Sequence, residues 1–264
     1  MIQVSIPRPV TVTALGLTAT VAVAWCADAV VATHAEHALS SAVAHNSRLE
    51  VAPNVYLAGL PYLQAVVTGK IPRLSVEALD VDTPGLGLVN ARTELEAVKV
   101  TPQQVFSGDL TGAQAELATR KIGLDGVAVG AQLGMTDLDI ANPYDISPKG
   151  GPAVEAQLTG TPHGFDKPVT VIVTLRLSGP QFTMEPVEFP DVPPERIVAA
   201  RRAFTWTLNT RSLPLSGQAQ AVFVTGGSIY FESQARTITV DSADLSPLET
   251  ARKSDFDSTD YGRG

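Results

Sequence analysis

Residues 169–177 read Val169-Thr-Val-Ile-Val-Thr-Leu-Arg-Leu177, and the spacing in this stretch sets the fold class. Val169, Val171, Val173, Leu175 and Leu177 recur at every second position, with Thr170, Thr174 and Arg176 between them. Successive strand residues point to opposite faces, so this period predicts a strand with one apolar side. β-Branched residues suit such a half-buried pleated surface. The pattern returns in both directions along the chain. Leu74, Val76 and Ala78 alternate with Arg73, Ser75 and Glu77. Val89, Ala91, Thr93, Leu95 and Ala97 alternate with Asn90, Arg92, Glu94 and Glu96, and Phe204, Trp206 and Leu208 with Thr205, Thr207 and Asn209. Ala221–Val224 and Ile229–Phe231 flank Thr225-Gly-Gly-Ser228, which predicts a hairpin.

Helices are fewer. Val30 to Leu49 is rich in alanine, with Ala35, Ala38, Leu39, Ala42 and Val43 on one weakly apolar face. Short helices are predicted over 61–68, over 102–106 and from Pro193 to about Arg202, where Pro193 or Pro194 suits a first turn. After Asp241 the chain turns polar without apolar period, which predicts a disordered tail over 242–264. No tandem repeat or linker divides the remainder, so residues 30–241 are expected to form one α+β domain. A one-faced sheet must cover its apolar side. The single long helix presents mostly alanine for this purpose. Either the sheet packs on itself as a sandwich or barrel, or it leaves an apolar groove for a lipid; period alone leaves both open.

Arg8 is followed by an uncharged apolar run, Val10 to Ala24, the shape of an export signal. Ala22-Val-Ala24 and Ala27-Asp-Ala29 both have the small-x-small form of a cleavage site. Residues 1–29 therefore read as a cleaved signal peptide or, because the apolar character nearly continues to Ala32 across Asp28, as an uncleaved membrane anchor. Cys26 is the sole cysteine, so no internal disulfide exists. Bulky Trp25 before it does not fit a lipid-attachment motif.

Composition excludes some partners. The net charge is −8, against the basic face that nucleic acid requires, and against simple attraction to an anionic membrane. Hydrophobic residues at 44% and charged residues at 17% favour a large core over disorder.

Catalytic signatures are weak. His34 and His37 flank Glu36 without a third metal ligand nearby, and His163 lies in a turn-like Thr-Pro-His-Gly-Phe. No nucleophile elbow or phosphate-binding glycine loop occurs, and Ser228 belongs to the predicted hairpin. Asp80 with Asp82 and Asp137 with Asp139 are spaced to share a strand face, the arrangement that the paired acids of a glycosidase use. Exposed strand faces and turns produce the same spacing far more often.

Two stretches carry a family resemblance. Val55-Tyr-Leu-Ala-Gly59-Leu-Pro61-Tyr62-Leu63-Gln-Ala-Val-Val-Thr-Gly69-Lys70, followed by the strand Leu74–Leu79, resembles the opening of the LmeA-like phospholipid-binding family of actinobacteria. There a strand, a Gly-aromatic-Pro-aromatic-Leu turn, a short helix ending in Gly and a further strand follow in order. Gly59, Pro61, Leu63 and Gly69 fit, and Leu60 stands where the family often has Phe. Leu213-Pro-Leu-Ser-Gly217 and the hairpin through Phe231 resemble the family's closing elements. Leu95–Val105 and Ile122–Leu133 resemble its middle steps. The likeness covers about residues 35–240. The sparse aromatics and the Pro-rich Phe182–Pro194 segment depart from it.

The resemblance implies a tubular lipid-binding-like fold, in which a curved antiparallel sheet wraps a long helix around an elongated apolar tunnel. It implies a phospholipid ligand, an envelope location and, for the mycobacterial member, a role in elongating the mannan chain of lipomannan. No cofactor or metal is implied. On this reading the lining is expected to include Leu57, Leu63, Val67, Leu133, Val171, Val173, Phe182, Phe204, Trp206, Phe223 and Phe231. Lys70 and Arg73 are candidates for headgroup or membrane docking. Partners would be phospholipid, the cell membrane and an envelope mannosyltransferase. A scaffold that recruits a glycosyltransferase and a lipid-modifying enzyme are the alternatives.

Overall fold

The computed structural model describes residues 8–47, 49, 51–143 and 150–248; most of the expected tail lies outside these. Alanine-rich sequence carries helix α1 unbroken from Arg8 to Ser47, a rod about 60 Å long at ~1.5 Å per residue. The apolar N-terminal run and the helix expected from Val30 are thus one element. Residues 15–27 are exposed, and Asp28 is the first buried position. From there Asp28, Ala35, Leu39, Val43 and Ser47 form a buried stripe, at intervals that keep one helix face inward. Ala42, expected on this face, is exposed.

The first sheet holds β1 (Asn54–Leu57), β2 (Lys70–Thr83), β3 (Gly87–Lys99), β4 (Gln114–Asp125), β10 (Ala221–Thr225) and β11 (Ser228–Thr239). Its order is β1-β2-β3-β4-β11-β10, antiparallel throughout, and it curls into a half-barrel with α1 as the long helix. Short helices α2 (Gln64–Thr68) and α3 (Pro102–Ser107) flank it, close to the predicted positions. The predicted hairpin is present, with Gly226 and Gly227 both at positive φ between Thr225 and Ser228. Positive φ at both turn residues matches the twist of the flanking strands.

A line of irregularities crosses four strands of this sheet. Pro72, Ala97, Glu116 and Thr237 stand opposite one another, and the ladder skips each of them while keeping its register on both sides. Ala97 has φ 57° and Thr237 φ 53°. At this line each strand points two successive residues away from the apolar side: Pro72 and Arg73, Glu96 and Ala97, Glu116 and Leu117, Arg236 and Thr237. Strict alternation had placed Ala97 on the apolar face; the break gives that role to buried Val98 instead. Such interruptions bend a strand and increase its twist, which lets a broad sheet curl.

The second sheet, β5 (Asp139–Ala141), β6 (Ala153–Gly160), β7 (Val169–Ser178), β8 (Gln181–Glu188) and β9 (Trp206–Asn209), is antiparallel in chain order. Val169, Val171, Val173 and Leu175 of β7 are buried, as their period requires. α4 (Gly126–Leu133) follows β4, and α5 (Ile197–Ala203) follows a 3-10 turn that begins at Pro194.

Apolar side chains form two cores. One joins α1 and α3 to the first halves of β2 and β4, with Tyr62, Leu74, Leu95 and Val105 among its members. The other joins the second sheet to the far end of the first, around Ile122, Phe182, Phe204 and Phe231. Buried Arg120 lies at β4 between Ala118 of the first and Ile122 of the second. Its guanidinium donates to Thr93 Oγ1 at 3.2 Å and to the carbonyls of Ala243 and Ser246, both at 3.0 Å. These bonds hold the chain beyond Asp241, where helix α6 (Ser242–Leu245) buries Leu245 against α1's core. The first residues of the expected polar tail are therefore folded, because two leucines and a capping box at Asp241 and Asp244 give them a place to pack.

Candidate functional site

Three side chains of α1 reach the segment between its end and α2. Asp28 accepts the backbone N–H of Tyr62 at 2.9 Å and that of Leu63 at 2.6 Å. Glu36 accepts the N–H of Leu57 at 2.9 Å, and Ser40 donates to the Pro53 carbonyl at 2.6 Å. A carboxylate is a strong acceptor for such amides, so α1 is bound to the domain by direction as well as by packing. Tyr62 is buried beneath this contact, and its hydroxyl donates to the Val105 carbonyl at 3.0 Å. Burial, followed by the charges of Glu36 and Asp28, pushes its phenol up to about 12. Gly108, at φ 73°, closes α3 directly on the helix: a Cβ there would stand 2.6 Å from the Ala35 carbonyl oxygen.

Beside the packed stripe, another side of α1 stays open. A shallow space of about 420 Å³, open to its surroundings, is lined only by α1 residues: Ala29, Val30, Thr33, His34 and His37. A narrower one of about 100 Å³ follows at Ala38, Leu39, Ala42, Val43 and Asn46, with Gly108, Asp109 and Leu245 opposite. At about 100° per residue, the first space, lined by α1 alone, lies on the side of the helix turned away from the buried stripe, and the second lies along the stripe, where α1 meets the end of α3 and Leu245. Small alanines leave the room, and apolar Leu39, Val43 and Leu245 floor it. Asp109 at the rim accepts the Thr111 N–H at 3.0 Å, which holds its carboxyl below the ordinary range and keeps it charged.

The residues anticipated as lining separate in space. Leu57 and Leu63 lie near α1, with Leu57 buried in its core. Val171, Val173, Phe182, Phe204 and Phe231 are fully buried in the other core, with Leu133 and Trp206 half-buried against them. Phe182 meets Trp206 and Phe231 edge-on, at centroid distances of 5.4 and 4.9 Å. Phe223 is on the opposite side of its strand, stacked on Tyr230. Val67 is 89% exposed on α2. Lys70 pairs with Glu116 at 2.9 Å, and Arg73 approaches Glu96 at 3.9 Å. The groove residues Val30, Ala38 and Asn46, and the Asp28 contact, were not anticipated. The one available signal was Asp28 itself, the only charge between Arg8 and Glu36.

One of the paired acids is spent on structure. Asp137 accepts both the N–H and the hydroxyl of Thr161, at 2.9 and 2.6 Å, which lowers its carboxyl below the ordinary range. Asp80 sits at a positive-φ break in β2, its N–H donated to Asn90.

The chain thus sets a long helix along a curled antiparallel sheet. The family model described as LmeA-like phospholipid-binding matches residues 26–234. The chain belongs to this family. The match begins two residues before Asp28, so the helix of this LmeA-like protein is part of the shared domain from the point where it becomes buried. No curated protein and no solved structure matches the chain. Among the described residues one helix, over Leu15–Ser47, is long and apolar enough to cross a membrane, and it is the helix that the half-barrel receives.

Proposed function

We propose that this LmeA-like protein is an exported, non-catalytic component of the cell envelope that holds a phospholipid with an acyl chain against α1. The family match over residues 26–234 carries this reading. The narrow space of about 100 Å³ between α1, the end of α3 and Leu245 adds a place where the chain can enter, with Ala38, Leu39, Ala42 and Val43 on its helix side and Asn46 and Asp109 at its rim. Transfer of each methylene from water contributes roughly 0.8 kcal/mol, so a dozen supply about 10 kcal/mol before ordering costs. Binding of that strength needs no buried cation, which agrees with the net charge of −8. Of the acids that a hydrolase reading would use, Asp137 has its carboxylate engaged by Thr161.

The apolar N-terminal run supports export across the cytoplasmic membrane. Within the envelope, the protein serves elongation of the mannan chain of lipomannan, by supplying or presenting phospholipid to an envelope mannosyltransferase. The test is purification of the full chain from membranes, solvent extraction and mass spectrometry, with uptake of a fluorescent phospholipid measured alongside. Phospholipid recovered with the protein and saturable uptake are expected. Absence of both overturns the reading and favours a scaffold with a dry core; turnover of a lipid-linked sugar by the pure protein favours an enzyme.

A further inference from the structure

We infer that α1 is retained as a membrane-spanning anchor and that Asp28 seats the folded domain on the bilayer, with Leu60, Val67 and Phe106 pressed into the lipid surface. The inference shares with the proposal above only the export of the domain. Pro9 to Ala27 contains no charged residue over 19 positions, about 28 Å of helix at ~1.5 Å per residue. That matches a hydrocarbon core about 30 Å thick. Arg8 precedes the span, as expected for an end left in the cytoplasm, and Trp25 lies near the other end, where aromatic rings favour the interface. The described side chains of the span are exposed in the isolated chain, so its apolar surface has no protein to cover it.

The domain begins where the span ends. Asp28 bonds Tyr62 and Leu63, and the Tyr62 hydroxyl bonds Val105. Each of these partners has an exposed apolar neighbour in sequence: Leu60 in the turn before Tyr62, 76% exposed; Val67 on α2, 89% exposed; and Phe106 beside Val105, 49% exposed. Lys70 and Lys99, paired across β2 and β3, stand between α2 and α3. Apolar tips with lysines beside them suit the boundary between acyl chains and headgroups. Cleavage after Ala29 would delete Asp28 and leave the buried Tyr62 N–H without its acceptor. The contact therefore opposes the site Ala27-Asp-Ala29, and the span's length opposes cleavage after Ala24.

Two measurements on the full chain test this. Intact mass of the protein recovered from envelopes is expected to retain residues 1–27; a mature N-terminus anywhere beyond Arg8 overturns the anchor. For the seating, Cys26→Ser chains carrying a spin label at Val67→Cys or Val198→Cys are reconstituted in vesicles of phosphatidylcholine and phosphatidylglycerol. Val198 is 74% exposed on α5, the helix whose Ala200 belongs to the other core. The label at 67 is expected to lose collisions with a water-soluble nickel chelate and gain them with oxygen, while the label at 198 stays aqueous. Equal nickel access at both positions overturns the docking face. Failure of lipid to co-purify, with a protected label at 67, removes the lipid-holding proposal and leaves the seating intact.

Discussion

The Oδ1 atom of Asp28 lies 2.6 Å from the backbone nitrogen of Leu63, so the first buried residue of α1 also holds the turn that leads into α2. Hydrogen bonds to a charged group contribute about 1.5–3 kcal/mol each, and a buried donor left without a partner costs about as much as the bond. Asp28→Ala is expected to lower stability by about 3 kcal/mol, read as a shift of the urea midpoint in detergent. Asp28→Asn keeps one acceptor oxygen and is expected to restore about half of that loss. An unchanged midpoint in the alanine variant would refute the role of this contact.

Tyr62 gives a pH dependence. Its phenol ionises near 10 when free and is pushed up to about 12 in the folded chain, chiefly by burial. Because the folded value is the higher one, the neutral form is favoured by folding. The associated stability is complete below pH 10 and declines as pH rises toward 12. At about 1.4 kcal/mol per decade the decline reaches at most ~3 kcal/mol. Tyr62→Phe, which also loses about 1 kcal/mol with the Val105 bond, is expected to flatten this alkaline slope.

Thr237 tests the bend line. A β-branched residue at φ 53° is strained, at about 1–3 kcal/mol, and this one is exposed, so nothing is lost with its side chain. Thr237→Gly is therefore expected to raise stability by about 0.5–1 kcal/mol in thermal unfolding, the reverse of glycine's usual effect in a strand. A destabilised variant would mean that the break is not strained.

The groove can be filled without touching the core. Ala42 is exposed and lines the narrow cavity of about 100 Å³. Ala42→Trp is expected to reduce phospholipid uptake about tenfold, the equivalent of about 1.4 kcal/mol, with the melting temperature nearly unchanged. Val198→Trp, on α5, serves as the control and is expected to bind normally.

Phe182 stands for the other core. It is fully buried between Trp206 and Phe231. Phe182→Ala is expected to cost about 3–5 kcal/mol of stability. At temperatures where the variant stays folded its uptake should equal that of the parent, since the groove along α1 lies against the first core. Selective loss of uptake would place the ligand between the sheets instead.

What the chain's own order of residues determined is local. Strand period gave the apolar sides of β2, β3 and β7, because alternation depends only on neighbouring residues and the pleat. The Gly226-Gly227 hairpin followed from backbone freedom at two positions, and the helices at α2, α3 and α5 from punctuation by proline and glycine. The family could be recognised from motif order. Tertiary structure decided the rest. That Phe182 and Phe231 meet edge-on depends on pairing strands from two sheets, which period does not encode. The inward side of α1 was ambiguous because alanine fits either side; contact with Tyr62, Leu63 and Gly108 chose Asp28, Ala35 and Leu39 and left Ala42 outside. The bend through Pro72, Ala97, Glu116 and Thr237 exists only once four strands are in register. The narrow space at Ala42 exists only where α1, the end of α3 and Leu245 come together.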